Sequence, residues 1–252
     1  MSNPRSYKTD AVILRRSEYG ESDYLLTIYS RPFGKLTVIA KGARKHLSRR
    51  AGHVELYSHS HLVVHKGRGM DVVSQAEVIN PFSQLQSDLD RTLLASHFAE
   101  LLDQFAFEGE SNPRAFDVIV RGYKRLCDLD SDANLVTRYY EFQLLRVMGF
   151  EPNLFECVIT GETLQATDQF FCSDEGGVVS AQHTAGLDVM LLPLPIFKVL
   201  RHFSRSKWSQ IKTLKLSPEH HATLKRVLHH YITSILERKL KSVALLDKLT
   251  HD

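Results

Sequence analysis

Residues 7–45, YKTDAVILRRSEYGESDYLLTIYSRPFGKLTVIAKGARK, together with DVVSQAEVIN at 71–80, decide the fold. The stretch is rich in Val, Ile, Leu, Tyr and Thr and is punctuated by glycine-containing turns, which is the pattern of short β-strands. Five strands are predicted, over about Lys8–Ser17, Tyr24–Arg31, Lys35–Lys41, Glu55–Lys66 and Asp71–Ile79. Turns fall at Glu18–Asp23, Pro32–Gly34 and Gly67–Gly69, and one connection is long: GARKHLSRRAG, Gly42 to Gly52. A long connection between the third and fourth of five short strands matches a small Greek-key barrel of the oligonucleotide-binding (OB) type. An SH3-like barrel is the nearest competitor.

Beyond Pro81 the apolar period changes from two to about 3.6. Leu85, Leu89, Leu93, Leu94, Phe98, Leu101, Leu102 and Phe105 form one helical stripe, and a second helix is predicted over Pro113–Leu129. A third, Asn134–Met148, stops at Gly149, where a glycine C-cap belongs. Another opens at Ser217-Pro218-Glu219, with an N-cap serine, proline at the first helical position and an acid in the first turn. Residues 151–185 are polar and irregular, with a Gly176-Gly177 turn. The expected fold is therefore α+β and multidomain. A five-stranded OB-fold β-barrel occupies residues 1–80, and an α-helical domain occupies 81–252 with an irregular insert at about 151–185.

The 252 residues are 43% apolar and 24% charged, ordinary values for a globular protein that exclude disordered and collagenous classes. The most apolar run, Leu187–Leu200, is broken by Asp188, Pro193, Pro195 and Lys198 and does not span a membrane. The polar start MSNPRSYKTD has no apolar signal region, so a cytoplasmic location is expected. Cys127, Cys157 and Cys172 are too few and odd in number for a disulfide framework, and reduced thiols are expected.

Charge is unevenly placed. Residues 1–80 carry thirteen basic and seven acidic side chains, a net +6, which leaves −3 for the remainder of a chain whose total is +3. The asymmetry points to a polyanionic partner for the first part. Its sharpest feature is the 42–52 connection, which holds Arg44, Lys45, His46, Arg49 and Arg50 and no acid. Lys35 and Lys41, at the ends of the preceding strand, extend the track. A cationic loop of this kind follows a phosphate backbone and releases condensed counterions, so binding through it weakens steeply with salt. Tyr19, Tyr24, Tyr29, Phe33 and Tyr57 are available for base stacking, although a small barrel needs several of them inside.

Other clusters read as structural. His59, His61 and His65 share one strand parity and are expected to form an exposed face that gains charge in mild acid. His220, His221, His229 and His230 read as helix surface. Cys157, Cys172 and His183 lie in the kind of segment that structural zinc organises, but the paired C-x-x-C spacing is missing. No P-loop, G-x-S-x-G or H-E-x-x-H pattern is present, so no enzyme is expected. Asp128, Asp130 and Asp132 fit a helix-to-helix turn better than the two-metal centre of a nuclease.

The segments Tyr19–Thr27, Phe33-Gly34-Lys35, Lys41-Gly42-Ala43-Arg44 and YEFQLLRVMGFEPNL at Tyr140–Leu154 resemble the bacterial RecO family of recombination mediators and DNA repair proteins. That resemblance implies a non-enzymatic, cofactor-free role in the cytoplasm at the nucleoid. Members bind single- and double-stranded DNA, anneal complementary strands, and work with RecR and the single-stranded-DNA-binding protein to load RecA. Carried onto this sequence, the DNA track comprises Lys35, Lys41, Arg44, Lys45, Arg49 and Arg50, with Arg15 and Arg16 beside it. The tail of the single-strand binder would be received at Arg121, Lys124 and Arg125, or at Arg138 and Phe142 on the next helix. Some members hold zinc with two C-x-x-C pairs. Here Cys157 matches the first position, Thr160 replaces the second, and the other two fall near Ser180 and His183. No metal is expected, and only Cys157 and His183 would remain of such a site. The competing class is an interaction scaffold whose basic barrel binds an acidic protein.

Overall fold

The computed structural model describes residues 5–44, 51–237, 240 and 242. The chain forms two compact units, Met1–Asp128 with Ser242–Asp252 and Leu129–Lys241.

The first unit is built on five strands: β1 (Ser6–Tyr19), β2 (Asp23–Ser30), β3 (Gly34–Ala40), β4 (His59–His65) and β5 (Asp71–Asn80). They close into a barrel in the order β1-β2-β3-β5-β4, with only β3 and β5 parallel. Alternation along the strands turns Ala11, Ile13, Leu26, Ile28, Val38, Leu62 and Val64 into one core. A register shift between Ile13 and Arg15 lets long β1 bend and serve both neighbours. Val12 and Leu14, on the other parity, are equally buried, because the helix over Leu89–Phe105 packs on β1 from outside.

The parallel β3–β5 pairing covers only Val38–Ala40, and the free half of β3 is met by the 107–112 segment instead. Lys35 bridges to Glu108, Gly109 N–H donates to the Lys35 carbonyl (2.9 Å), and Thr37 N–H donates to Glu108 Oε1 (3.0 Å). Covering the edge in this way removes an aggregation template. The fit requires Gly34, whose φ of +70° suits a residue without Cβ, and an added Cβ would lie 1.8 Å from the Glu110 carbonyl oxygen.

Helices α1 (Gln84–Ser87), α2 (Leu89–Phe105) and α3 (Pro113–Leu126) complete this unit. The single stripe expected from Leu85 to Phe105 is broken at Asp88, whose extended backbone makes it the N-cap of α2. Asn112 caps α3 in the same way, with Pro113 at its first position. Tyr123 is fully buried and packs on Tyr57, Phe82 and Phe98, and its hydroxyl donates to the Ala95 carbonyl (3.2 Å). This aromatic cluster joins barrel to helices, and the buried Tyr123 hydroxyl at its centre is satisfied.

In the second unit α4 (Ala133–Val147) ends at Gly149, whose φ of +89° is the left-handed cap expected there. Residues 151–185 are not irregular, as the sequence suggested. β6 (Gln169–Cys172) pairs with β7 (Gly177–Val179) and with β8 (Met190–Leu192), all antiparallel. Residues 153–164 fold into a hairpin-like loop held to β7 by Val158 N–H donating to the Val178 carbonyl (3.0 Å). Strands of three or four residues are too short to show a period of two. Helices α5 (Leu194–Arg205), α6 (Trp208–Ile211) and α7 (Pro218–Leu236) follow. The α5 residue Arg201 donates from Nε to the Leu154 carbonyl (2.8 Å) and from Nη2 to the Leu164 carbonyl (3.2 Å), and its guanidinium lies over Phe197 at 4.0 Å. One side chain thus ties the two ends of the 153–164 loop together.

Candidate nucleic-acid interface

The long basic connection leaves β3 under firm control. Gly42 N–H donates to Asp23 Oδ1 (2.7 Å) and Arg44 N–H to the Ser22 carbonyl (2.9 Å), pinning its start to the β1–β2 turn. Arg44 also pairs with Glu18 at 2.8 Å and donates to the Gly20 carbonyl. Its other end is anchored by a short helical turn, Ala51–His53, where Val78 N–H donates to His53 Nδ1 (3.2 Å) and Ser60 Oγ donates to the His53 carbonyl (2.8 Å). Lys45, Arg49 and Arg50, expected on the DNA track, lie outside the described residues. Lys41 is exposed at the connection's start.

The other expected track residues are strand side chains, and the fold gives them acidic partners. Lys35 is only 19% exposed; its Nζ lies 3.2 Å from Asp103 Oδ1 and donates to the Asp103 carbonyl at 2.6 Å. That carbonyl belongs to the last turn of α2, where a cation also meets the negative end of the helix dipole. Arg15, 71% exposed, shares the same carboxylate at 3.5 Å. Arg16 pairs with Glu55 at 2.7 Å and lies over the Tyr24 ring. Arg31 makes a forked contact with Asp117, both distances being 3.3 Å. These pairs join residues as many as 88 positions apart and cannot be read from a linear charge count.

A second basic cluster stands at the opposite strand ends. Arg5 and Lys8 precede or open β1, while Lys66 and Arg68 lie in the β4–β5 turn, and all four are exposed. Antiparallel pairing brings them together: Ser6 lies opposite His65, and Lys66 N–H donates to the Arg5 carbonyl (2.9 Å). Beside them a groove of about 380 Å³ is lined by Lys8, Thr9, Asp10, Arg31, His61 and Pro113. The sequence reading passed over this cluster because its members are separated by the whole barrel; the strand order was the signal that joins them.

Of the aromatics, Tyr29 and Tyr57 are core, and burial pushes the Tyr29 hydroxyl's pKa upward. Tyr19 (41%) and Phe33 (38%) keep exposed ring surface for stacking. The three strand histidines do share a face, but their surroundings differ. His59 packs edge-on against Phe116, and burial holds its pKa below the ordinary value despite the nearby Asp10 charge. His61 Nδ1 lies 2.7 Å from Asp10. The helix histidines likewise are not mere surface: His221 meets Asp132 at 3.0 Å, and His230 bonds Ser173 at 2.7 Å. Asp132 caps α4, accepting from the Asn134 and Leu135 N–H groups.

Arg121, Lys124 and Arg125 lie on α3; Arg121 pairs with Asp117 at 3.7 Å, and Lys124 is exposed. Arg138 and Phe142, named with them from sequence, are buried: Arg138 is paired with buried Glu141 at 3.0 Å and Phe142 is wholly inaccessible. Neither offers a surface to a partner in the second unit. His183 Nδ1 bonds Ser180 Oγ at 2.8 Å. Among the described residues no three His, Cys, Asp or Glu side chains stand together as a metal site requires. No helix among those residues is long and apolar enough to cross a membrane.

Family models described as Recombination protein O N terminal and Recombination protein O C terminal match residues 1–82 and 86–244. Curated proteins named DNA repair protein RecO are similar along almost the whole length. That of Roseiflexus sp. is 37% identical over 245 residues, covering 96% of this chain and 86% of its own. That of Desulforamulus reducens is 32% identical, covering 96% and 94%. That of Dehalococcoides mccartyi strain 195 is 29% identical, covering 99% and 98%.

Proposed function

The chain belongs to the RecO family of DNA repair and recombination proteins, and from that premise we propose that it is a non-catalytic recombination mediator acting on DNA. It binds single- and double-stranded DNA, anneals complementary strands, and with RecR helps load RecA onto DNA coated by the single-stranded-DNA-binding protein. The observation that carries this reading is the match of both family models across the chain, joined to a closed barrel whose β3–β4 connection holds an acid-free cationic stretch at 42–52.

An annealer must screen repulsion between two phosphate backbones while leaving the bases free to pair. Lys45, Arg49 and Arg50 suit that task, since phosphate contacts position DNA without reading its sequence. Lys41 and Arg44 stand at their entry, and the Arg5, Lys8, Lys66 and Arg68 cluster extends the positive surface to the other strand ends. Lys35, Arg15 and Arg16 act chiefly on the carboxylates of Asp103 and Glu55. For the acidic, apolar tail of the single-strand binder, the α3 cations Arg121, Lys124 and Arg125 supply the carboxylate partners. The protein works in the cytoplasm, at the nucleoid.

The test is annealing of two complementary labelled strands, bare and coated with single-strand binder. Acceleration in both cases, without strand cleavage in magnesium, supports the mediator. Absence of annealing with retained binding of an acidic protein would support the scaffold reading instead.

A further inference from the structure

The net −3 of residues 81–252 conceals a basic run in the second unit. Lys198, Arg201, Arg205, Lys207, Lys212 and Lys215 fall within 198–215 with no Asp or Glu among them. We propose that the end of this run, 205–215, is a second track for a phosphate backbone, so that one chain holds two DNA strands at once, one on each unit. The inference rests on the mediator reading above and supplies a place for the second strand that annealing needs.

The fold presents these cations outward. Arg205 ends α5, Lys207 and Lys212 bracket the single turn of α6, and Lys215 lies in the run to α7; all four are exposed. Ile211 is buried between them, and Leu214 and Leu216 are half-buried, so alternation turns Lys215 to solvent. Among the described residues none of the four meets a carboxylate. Glu151, which follows α4, is already held by Arg146 at 3.2 Å and by Ser204 Oγ at 2.7 Å. Glu219 stands in the first turn of α7, where the helix dipole favours an acid.

Two further observations point to an anion. The guanidinium groups of Arg201 and Arg205 both lie over the Phe155 ring, at 5.2 and 4.0 Å. Arg201 gives its donors to the Leu154 and Leu164 carbonyls, whereas Arg205 is exposed. Two like charges against one ring repel each other, and a phosphate beside the outer one relieves that repulsion while using its planar fork. The stretch is also held ready. Tyr139, Gln143 and Arg146, on one face of α4, donate to the carbonyls of Ser206 (3.2 Å), Phe203 (3.2 Å) and Ser204 (3.0 Å). They satisfy groups that the end of α5 leaves open and fix the connection without help from its lysines.

The composition of the surface favours a nucleic acid over an acidic protein. No large apolar side chain is exposed between 198 and 215, so the buried anchor on which protein interfaces depend is missing. A phosphate backbone needs cations and no such anchor. Trp208 is half-buried and packs on Tyr139 at 5.4 Å, so the track takes phosphates and leaves the bases of the strand free to pair.

The sites are counted by titrating the full chain, at low salt, with an oligo-dT of about twelve nucleotides, short enough for one track and unable to pair with itself. Wild type should bind two per chain. Lys207→Gln/Lys212→Gln/Lys215→Gln should bind one, with affinity for that one unchanged within about twofold, and should anneal complementary strands about tenfold more slowly. Its thermal unfolding should match wild type, because α4 and not these lysines holds the connection. Adding Lys45→Glu/Arg49→Glu/Arg50→Glu should abolish the remaining site. A lysine variant that still binds two and anneals at the wild-type rate overturns the proposal. So does one that keeps both strands and loses only the single-strand binder, which would make the surface a protein dock. Wild type that binds no oligo-dT overturns the mediator reading itself, whereas wild type that binds one and still anneals overturns the second track alone.

Discussion

Two groups of cations in the first unit are built differently. On the barrel wall Lys35, Arg15, Arg16 and Arg31 each meet a carboxylate within 3.5 Å, and Lys35 also closes the last turn of α2. The 42–52 connection contains no acid at all, and among its described residues Arg44 is tied back to the β1–β2 turn. A charge that is paired and half-buried holds the fold, and its replacement strands a carboxylate. In the proposed function the acid-free stretch serves a polyanion. Wall substitutions should therefore lower stability and spare DNA affinity, while connection substitutions should do the reverse.

The sharpest break in that contrast comes at the wall's own seam. Gly34→Ala should destabilise by about 3–4 kcal/mol, the left-handed backbone and the displaced Glu110 carbonyl acting together; urea unfolding at neutral pH reads it. Lys35→Ala should cost about 1–3 kcal/mol, since buried Asp103 is left with only the longer 3.5 Å contact from Arg15, with DNA affinity measured on the folded variant unchanged. A loss of DNA binding with intact stability would return Lys35 to the track. Arg16→Ala removes a partly exposed pair and should cost below about 1 kcal/mol.

The smallest effect concerns His59. Burial lowers its folded pKa beneath the ordinary 6.5, so in mild acid the unfolded chain binds a proton that the folded chain refuses. Stability attributable to this residue is thus present above pH 6.5 and declines as pH falls below it. Thermal unfolding between pH 7.5 and 5.5 should show a loss that His59→Leu diminishes, and an unchanged pH profile in that variant would place the acid sensitivity elsewhere.

The barrel was legible because every strand is long enough to display alternation and every tight turn carries glycine. The break between α1 and α2 was not, since Asp88 interrupts a leucine stripe without disturbing its period. The β6–β8 sheet escaped because its strands are shorter than any window that reveals a period, and α5 because the Leu187–Leu200 run shows prolines but no cap before Leu194. In the interface, the basic connection was visible as composition, whereas the neutralisation of Lys35 by Asp103 and the meeting of Arg5 with Lys66 depend on tertiary pairing. Arg138 and Phe142 were misplaced for a related reason: a cation beside an aromatic on a helix reads as a docking face, yet Glu141 takes Arg138 into the interior. The Cys157-to-Thr160 departure was plain in sequence, but that Arg201 would tie the same loop from α5 was not.

The most direct test of the central claim is the salt dependence of single-stranded DNA binding, followed by fluorescence anisotropy. Wild type is compared with Lys45→Glu/Arg49→Glu/Arg50→Glu and with Lys35→Ala. At about 0.7 per phosphate contact on a single strand, loss of three contacts should flatten the log–log slope by about 2. The account predicts that flattening in the connection variant and an unaltered slope in Lys35→Ala. An unaltered slope in the connection variant, with flattening in Lys35→Ala, would contradict it and move the DNA onto the barrel wall.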